Sequence, residues 1–176
     1  MRIEFILYRL FWTSLLLIVS NIFFTTLFPF VFNIGFRPSL NVVILLFLAY
    51  RLQGNSLPFI ILFFQSVHGA FTAQGWAFAT LAGIGVGLII SRIKDMVHFY
   101  LSWVQVAFTF VFSWIYFFIL SFFMYLKTEE LSFFYLNLGT ELAESLFSAA
   151  LAPFIFKVMK KIWKTDSATE AMVSNV

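Results

Sequence analysis

Apolar and polar residues in this chain follow neither the two-residue period of a half-buried strand nor the regular stripe of a surface helix. They form long apolar runs separated by short polar breaks. The first run covers residues 5–32 and ends in "NIGFRPS" (33–39), where Gly35 and Pro38 mark a turn. A short second run over 39–52 is broken by "QGNS" (53–56), and a third covers 57–71. After "TAQG" (72–75) comes a fourth over 76–90, then the polar "SRIKD" (91–95). The fifth runs over 96–126 into "KTEE" (127–130), and the last covers 131–163 with a polar interruption at "NLGT" (137–140). A membrane-crossing helix needs about 20 apolar residues. The pattern therefore predicts six transmembrane helices, of which the second, third and fourth are short. A re-entrant hairpin built from the second and third is the alternative; it leaves four spans and the same placement of the termini.

Composition strengthens this reading. The 176 residues are 62% hydrophobic and 11% charged, against about 25% charged in a soluble domain. Such a surface belongs in a bilayer. The 27 Phe suit lipid-facing helix surfaces, and the lack of Cys excludes disulfides, iron–sulfur clusters and thiolate metal sites. The first run is longer than a signal-peptide core, and residues 20–33 offer no small-residue cleavage site, so it reads as a retained helix. The expected molecule is an all-α integral membrane protein. Residues 1–164 form one six-helix transmembrane domain, and 165–176 form a polar, disordered cytoplasmic tail.

Charge fixes the orientation. Cytoplasmic loops collect Lys and Arg. With the N-terminus inside and six spans, Arg2, Arg9, Arg51, Arg92, Lys94, Lys157, Lys160, Lys161 and Lys164 fall inside, while Arg37 and Lys127 fall outside. Nine of the 11 basic residues thus share one side, and both termini are cytoplasmic. Lys157, Lys160, Lys161 and Lys164 recur at i, i+3, i+4 and i+7 on one face of the last helix. Their stems can lie along apolar surface while the ammonium groups reach anionic lipid headgroups, which makes them a cytoplasmic membrane-surface anchor. Trp163 fits the interfacial aromatic belt. The net charge of +3 is accounted for by this membrane-facing distribution and implies no nucleic-acid partner.

Few residues inside the apolar runs suggest chemistry. "AGIGVG" (82–87) lacks the strand and soluble βαβ setting of a dinucleotide fingerprint. Ala79, Gly83 and Gly87 instead make a small-xxx-small stripe for close helix packing, against a neighbour in this chain or in a partner. Glu141 and Glu144, following Gly139-Thr140, read as acids in a first helical turn near the outer interface, where they meet the helix dipole or contact a partner. Asn21, Gln65, His68 and Gln105 are polar at membrane depth and form the alternative ligand pocket. No metal-ligand spacing, nucleophile–base arrangement or midplane acid is visible, so the sequence predicts neither metal, cofactor nor catalysis.

Two proline-marked segments carry a family resemblance. "RPSLNVVILLFLAY" (37–50) opens a short apolar helix with Pro38 and closes it with Tyr50, and "ALAPFIFKVMKKIWK" (150–164) places Pro153 before a basic end. Between them the third helix ends near His68-Gly69, and Gly75 opens the fourth. This order resembles MreD, the small membrane protein of the bacterial rod-shape system, over roughly residues 5–164. The chain departs from that family where MreD proteins often carry an Asp late in the third helix: "ILFFQSVHG" (61–69) has Gln65 and His68 and no acid. The resemblance implies a non-enzymatic scaffold of the cell-elongation machinery in the bacterial inner membrane. It also implies MreC, a bitopic protein, as direct partner, with MreB, RodA and a transpeptidase in the same assembly. The fold it implies is similar to the substrate-binding subunits of energy-coupling-factor vitamin transporters. Such a subunit is the competing function, but its first helix carries a small-residue surface, and residues 5–32 here contain no Ala or Gly.

Overall fold

A computed structural model describes residues 3–27, 30, 38–52, 57–71, 76–93 and 101–163. Lys164, His98 and the expected tail at 165–176 lie outside them. Every regular element among the described residues is helical. The first helix, α1 (Ile3–Ile22), continues as a π-helical turn, Phe23–Leu27. It is followed by α2 (Asn41–Arg51), α3 (Leu57–Gly69), α4 (Trp76–Ile93), α5 (Ser102–Thr128) and α6 (Ser132–Ile162).

Among the described residues six α-helices form, and four stretches have the length and apolarity to cross a membrane: Leu7–Leu27, Trp76–Ile93, Ser102–Thr128 and Ser132–Ile162. This makes the chain a helical membrane protein. With 11 and 13 residues, α2 and α3 rise only about 17 and 20 Å, against a hydrocarbon core of about 30 Å. Four long helices and a short apolar pair, α2 and α3, are thus what the described residues show.

The short second helix is the axis of the molecule. Every residue from 41 to 49 is buried, so α2 is enclosed on all sides by α3, α4, α5 and α6. A helix that is apolar all round is a buried helix, and Val43, Leu46, Leu48 and Ala49 have essentially no exposure. Its uniform hydrophobicity looks like a lipid-facing span in sequence, yet protein, not lipid, covers it. Lipid-facing surface falls to the outer helices, for example to Leu7, Phe11, Val19, Phe118, Phe122 and Phe154.

Helix α6 corrects two expectations. It runs without interruption through "NLGT" and through Pro153. The polar side chains there bond to their own helix: Asn137 Nδ2 donates to the Phe133 carbonyl at 2.7 Å, and Thr140 Oγ1 to the Asn137 carbonyl at 2.9 Å. With those groups satisfied, no break is needed. Glu141 and Glu144 consequently sit in the third and fourth turns, not at a helix start, and the dipole-capping role does not apply to them. The second correction concerns Trp163. It is 2% exposed, and its Nε1 donates to Thr13 Oγ1 at 2.9 Å, tying the end of α6 to α1. An indole at the headgroup level would be half wet; this one is a buried clasp.

The helices alternate in direction, and charge follows. Arg9, Arg51, Arg92, Lys157, Lys160 and Lys161 lie at the end of the bundle where α1 starts and α6 finishes. Lys157, Lys160 and Lys161 are all exposed there. Lys127, Glu129 and Glu130 mark the opposite end, where Glu129 closes α5 in a left-handed conformation (φ 57°) with its N–H bonded to the Tyr125 carbonyl at 2.7 Å.

Candidate functional site

Polar side chains within the bundle separate into a closed seam and an open cavity. The seam joins α2, α3 and α4. Asn41 Nδ2 donates to Gln65 Oε1 at 3.1 Å, and Gln65 Nε2 donates back to Asn41 Oδ1 at 2.9 Å. Both residues are almost wholly buried. This reciprocal amide pair satisfies in each side chain one donor and one acceptor that hydrocarbon would leave bare. Thr80 Oγ1 donates to the Trp76 carbonyl at 2.7 Å and lies 3.3 Å from the Gln65 carbonyl, so α4 joins the same seam.

The small-residue stripe is the other half of that seam. Ala79, Gly83 and Gly87 are all buried on α4, and Gly83 and Gly87 face α3, with Leu45 of α2 also beside Gly87. A Cβ on Gly83 would overlap the Gln65 side chain, and one on Gly87 would stand 2.7 Å from Ile61 Cδ1. The neighbour left open by the sequence is thus within the chain. Ala79 meets α5 as well, through its carbonyl, 3.5 Å from the Tyr116 hydroxyl.

The cavity, of about 370 Å³, opens between α1, the start of α2, the end of α3, α5 and α6. One wall is a single face of α6: Asn137, Thr140, Glu141, Glu144, Ser145 and Ser148, recurring at helical spacing. Asn21 and Thr25 from the π-turn region, His68 from α3, and Ser113 and Tyr116 from α5 complete the polar lining. Chain direction puts all of these toward the end of the bundle opposite the lysine face. The π-helical turn lies where α1 reaches the cavity, a local distortion often found beside functional sites.

Two groups separated in the sequence reading are thereby united and one is split. Glu141 and Glu144 share the cavity with Asn21 and His68. Gln65 instead belongs to the seam, and Gln105 is buried on α5 near the other end, outside this lining. Ser39, Ser113, Tyr116, Ser145 and Ser148 carried no signal in sequence, since isolated hydroxyls in apolar runs are common; the i, i+3, i+4 spacing of polar residues from 137 to 148 was the usable clue. Among the described residues no group of three or more His, Cys, Asp or Glu has the proximity to hold a metal ion.

No protein-family model, curated protein or solved structure matches the chain.

Proposed function

We propose that the protein is a non-enzymatic scaffold of the bacterial cell-elongation machinery, an MreD-like component of the inner membrane. In this reading it binds an MreC-like bitopic protein at the outer face and supports lateral peptidoglycan synthesis alongside MreB, RodA and a transpeptidase. The observation that carries the reading is the packing of the two proline-marked segments that resemble MreD. They lie more than 100 positions apart in sequence, yet they form one core. Phe47 of the first meets Phe156 of the second edge to face with ring centroids 5.5 Å apart, and just before the second segment Ser148 Oγ accepts from the Ser39 N–H at 3.0 Å at the start of α2. A resemblance confined to surface or to lipid-facing helices would carry little weight, because any apolar helix can supply it. Here it falls on residues whose neighbours are fixed. The basic end of α6 also suits a cytoplasmic face apposed to anionic lipid.

Mild-detergent affinity purification from the native membrane tests the reading. A single-span periplasmic coiled-coil protein, recovered with cell-wall synthases, is the expected result. Recovery of a pair of ATPases with a shared membrane subunit would overturn it in favour of a vitamin-transporter subunit.

A further inference from the structure

The walls of the cavity have opposite electrical character. On α6, Glu141 and Glu144 stand at i, i+3, and none of the 17 described lining residues is a Lys or Arg. Elsewhere the lining carries no charge and mixes apolar side chains, Phe24, Val42, Phe71 and Leu120 among them, with hydrogen-bonding groups. Ser39 and Val42 bring the amino end of α2 to the cavity, and the cap residue, Leu40, supplies no side-chain hydrogen bond to it. The Asn41 N–H is taken by Ser39 Oγ at 3.4 Å, and the positive end of the helix dipole, with the first-turn N–H groups that follow, is directed at this space. The Ser39–Ser148 bond holds that end one helical turn of α6, about 6 Å along the axis, from Glu144. Asn21 Nδ2 and His68 Nδ1 are buried without a hydrogen-bond partner, and His68 is only 6% exposed. Groups this deeply buried are ordinarily bonded. Thr25, Thr140 and Ser145 donate to carbonyls of their own helices, and none of their hydroxyls is bonded to Asn21 Nδ2 or His68 Nδ1.

We propose that the cavity binds a small zwitterion carrying an ammonium and a phosphate group. The ammonium lies against the carboxylates of Glu141 and Glu144; the phosphate lies at the amino end of α2, beside Asn21 and His68. Phosphate suits this pole because it offers several acceptor oxygens to several convergent donors, and helix amino ends are ready-made sites for it. The volume, at the lower end of small-molecule sites, accommodates a headgroup and not acyl chains. Free phosphoethanolamine and the headgroup of an ethanolamine lipid share this chemistry. The inference does not depend on the scaffold reading.

The test uses the full chain purified in mild detergent. Native mass spectrometry is run with equal amounts of phosphatidylethanolamine and phosphatidylglycerol, and O-phosphoethanolamine is titrated by calorimetry. The wild type is expected to retain the ethanolamine lipid roughly tenfold over the glycerol lipid, or to bind the soluble compound, with Glu141→Gln abolishing the effect and Lys160→Gln leaving it intact. Preference among lipids assigns the ligand to the membrane; binding of the soluble compound alone assigns it to a solute. A wild type that shows neither overturns the proposal without recourse to any variant. So does a folded Glu141→Gln protein that binds as well as the wild type.

Discussion

The seam and the cavity are built from the same kinds of residue, yet they end in opposite states. In the seam, Asn41 and Gln65 answer each other's amides, and Gly83 leaves no space beside them. In the cavity, Asn21 and His68 are buried to a similar degree at the level of individual atoms, and neither Asn21 Nδ2 nor His68 Nδ1 has a partner. A polar residue at membrane depth is thus a lock where the chain supplies its complement and a point of attachment where it does not. Helix association within a bilayer gains little from hydrophobicity, since lipid is as apolar as leucine; close packing and satisfied polar pairs must do the holding. The seam meets both requirements and the cavity meets neither.

Substituting Gly83 attacks the seam most directly. Even one methyl would overlap the Gln65 side chain, so Gly83→Leu forces α3 and α4 apart. We expect a loss of about 3 kcal/mol or more, read as a collapse of the monodisperse fraction on size exclusion and a large fall in melting temperature. The overlap is with one side chain, so Gly83→Ala combined with Gln65→Ala should lose less than the two single changes added together. Strict additivity would place the obstruction elsewhere.

Next in size is the amide pair. Gln65→Leu leaves the Asn41 amide buried and unanswered, which costs about 1–3 kcal/mol. Adding Asn41→Leu removes the orphan and should recover most of the loss in thermal unfolding. A double variant no better than Gln65→Leu alone would mean that the pair contributes shape and not hydrogen bonding. Smaller again is the clasp between the ends of the chain. Trp163→Phe deletes the bond to Thr13 Oγ1, but Thr13 also donates to the Arg9 carbonyl at 2.8 Å and so is not orphaned. We expect about 0.5–1.5 kcal/mol in the same assay.

The sequence disclosed the seam and the cavity unequally. Glycine, proline and polar breaks placed the helix ends well: the expected run over 57–71 is α3 at Leu57–Gly69, and 76–90 is α4 at Trp76–Ile93. The small-xxx-small spacing of Ala79, Gly83 and Gly87 is local to one helix and so was visible. Burial of α2 was not, because lipid and protein interior select the same side chains, and only length set it apart from a span. "NLGT" misled for a different reason. Side-chain bonds to the helix's own backbone let polar residues continue a helix that composition would end, and that continuity carries Glu141 and Glu144 into the cavity. Neither the pairing of Asn41 with Gln65 nor the presence of Glu141 and His68 in one cavity follows from spacing, since each joins helices distant in the chain.

His68→Leu gives the smallest expected effect and the sharpest comparison. The side chain is as buried as many core residues, so a rule based on burial alone forecasts a loss like that of Gln65→Leu. The hydrogen-bond pattern forecasts otherwise. Leucine removes an unpartnered Nδ1. What it forfeits is the edge-to-face contact with Tyr116, whose ring centroid is 6.4 Å away, and that is worth about 0.5–1.5 kcal/mol. Relief of the buried orphan offsets it, so stability should stay within about 0.5 kcal/mol of the wild type while phosphoethanolamine binding weakens. A loss equal to that of Gln65→Leu would show that His68 is already bonded, through water held in the cavity, and the distinction between lock and attachment point would have to be redrawn with the water counted as part of the fold.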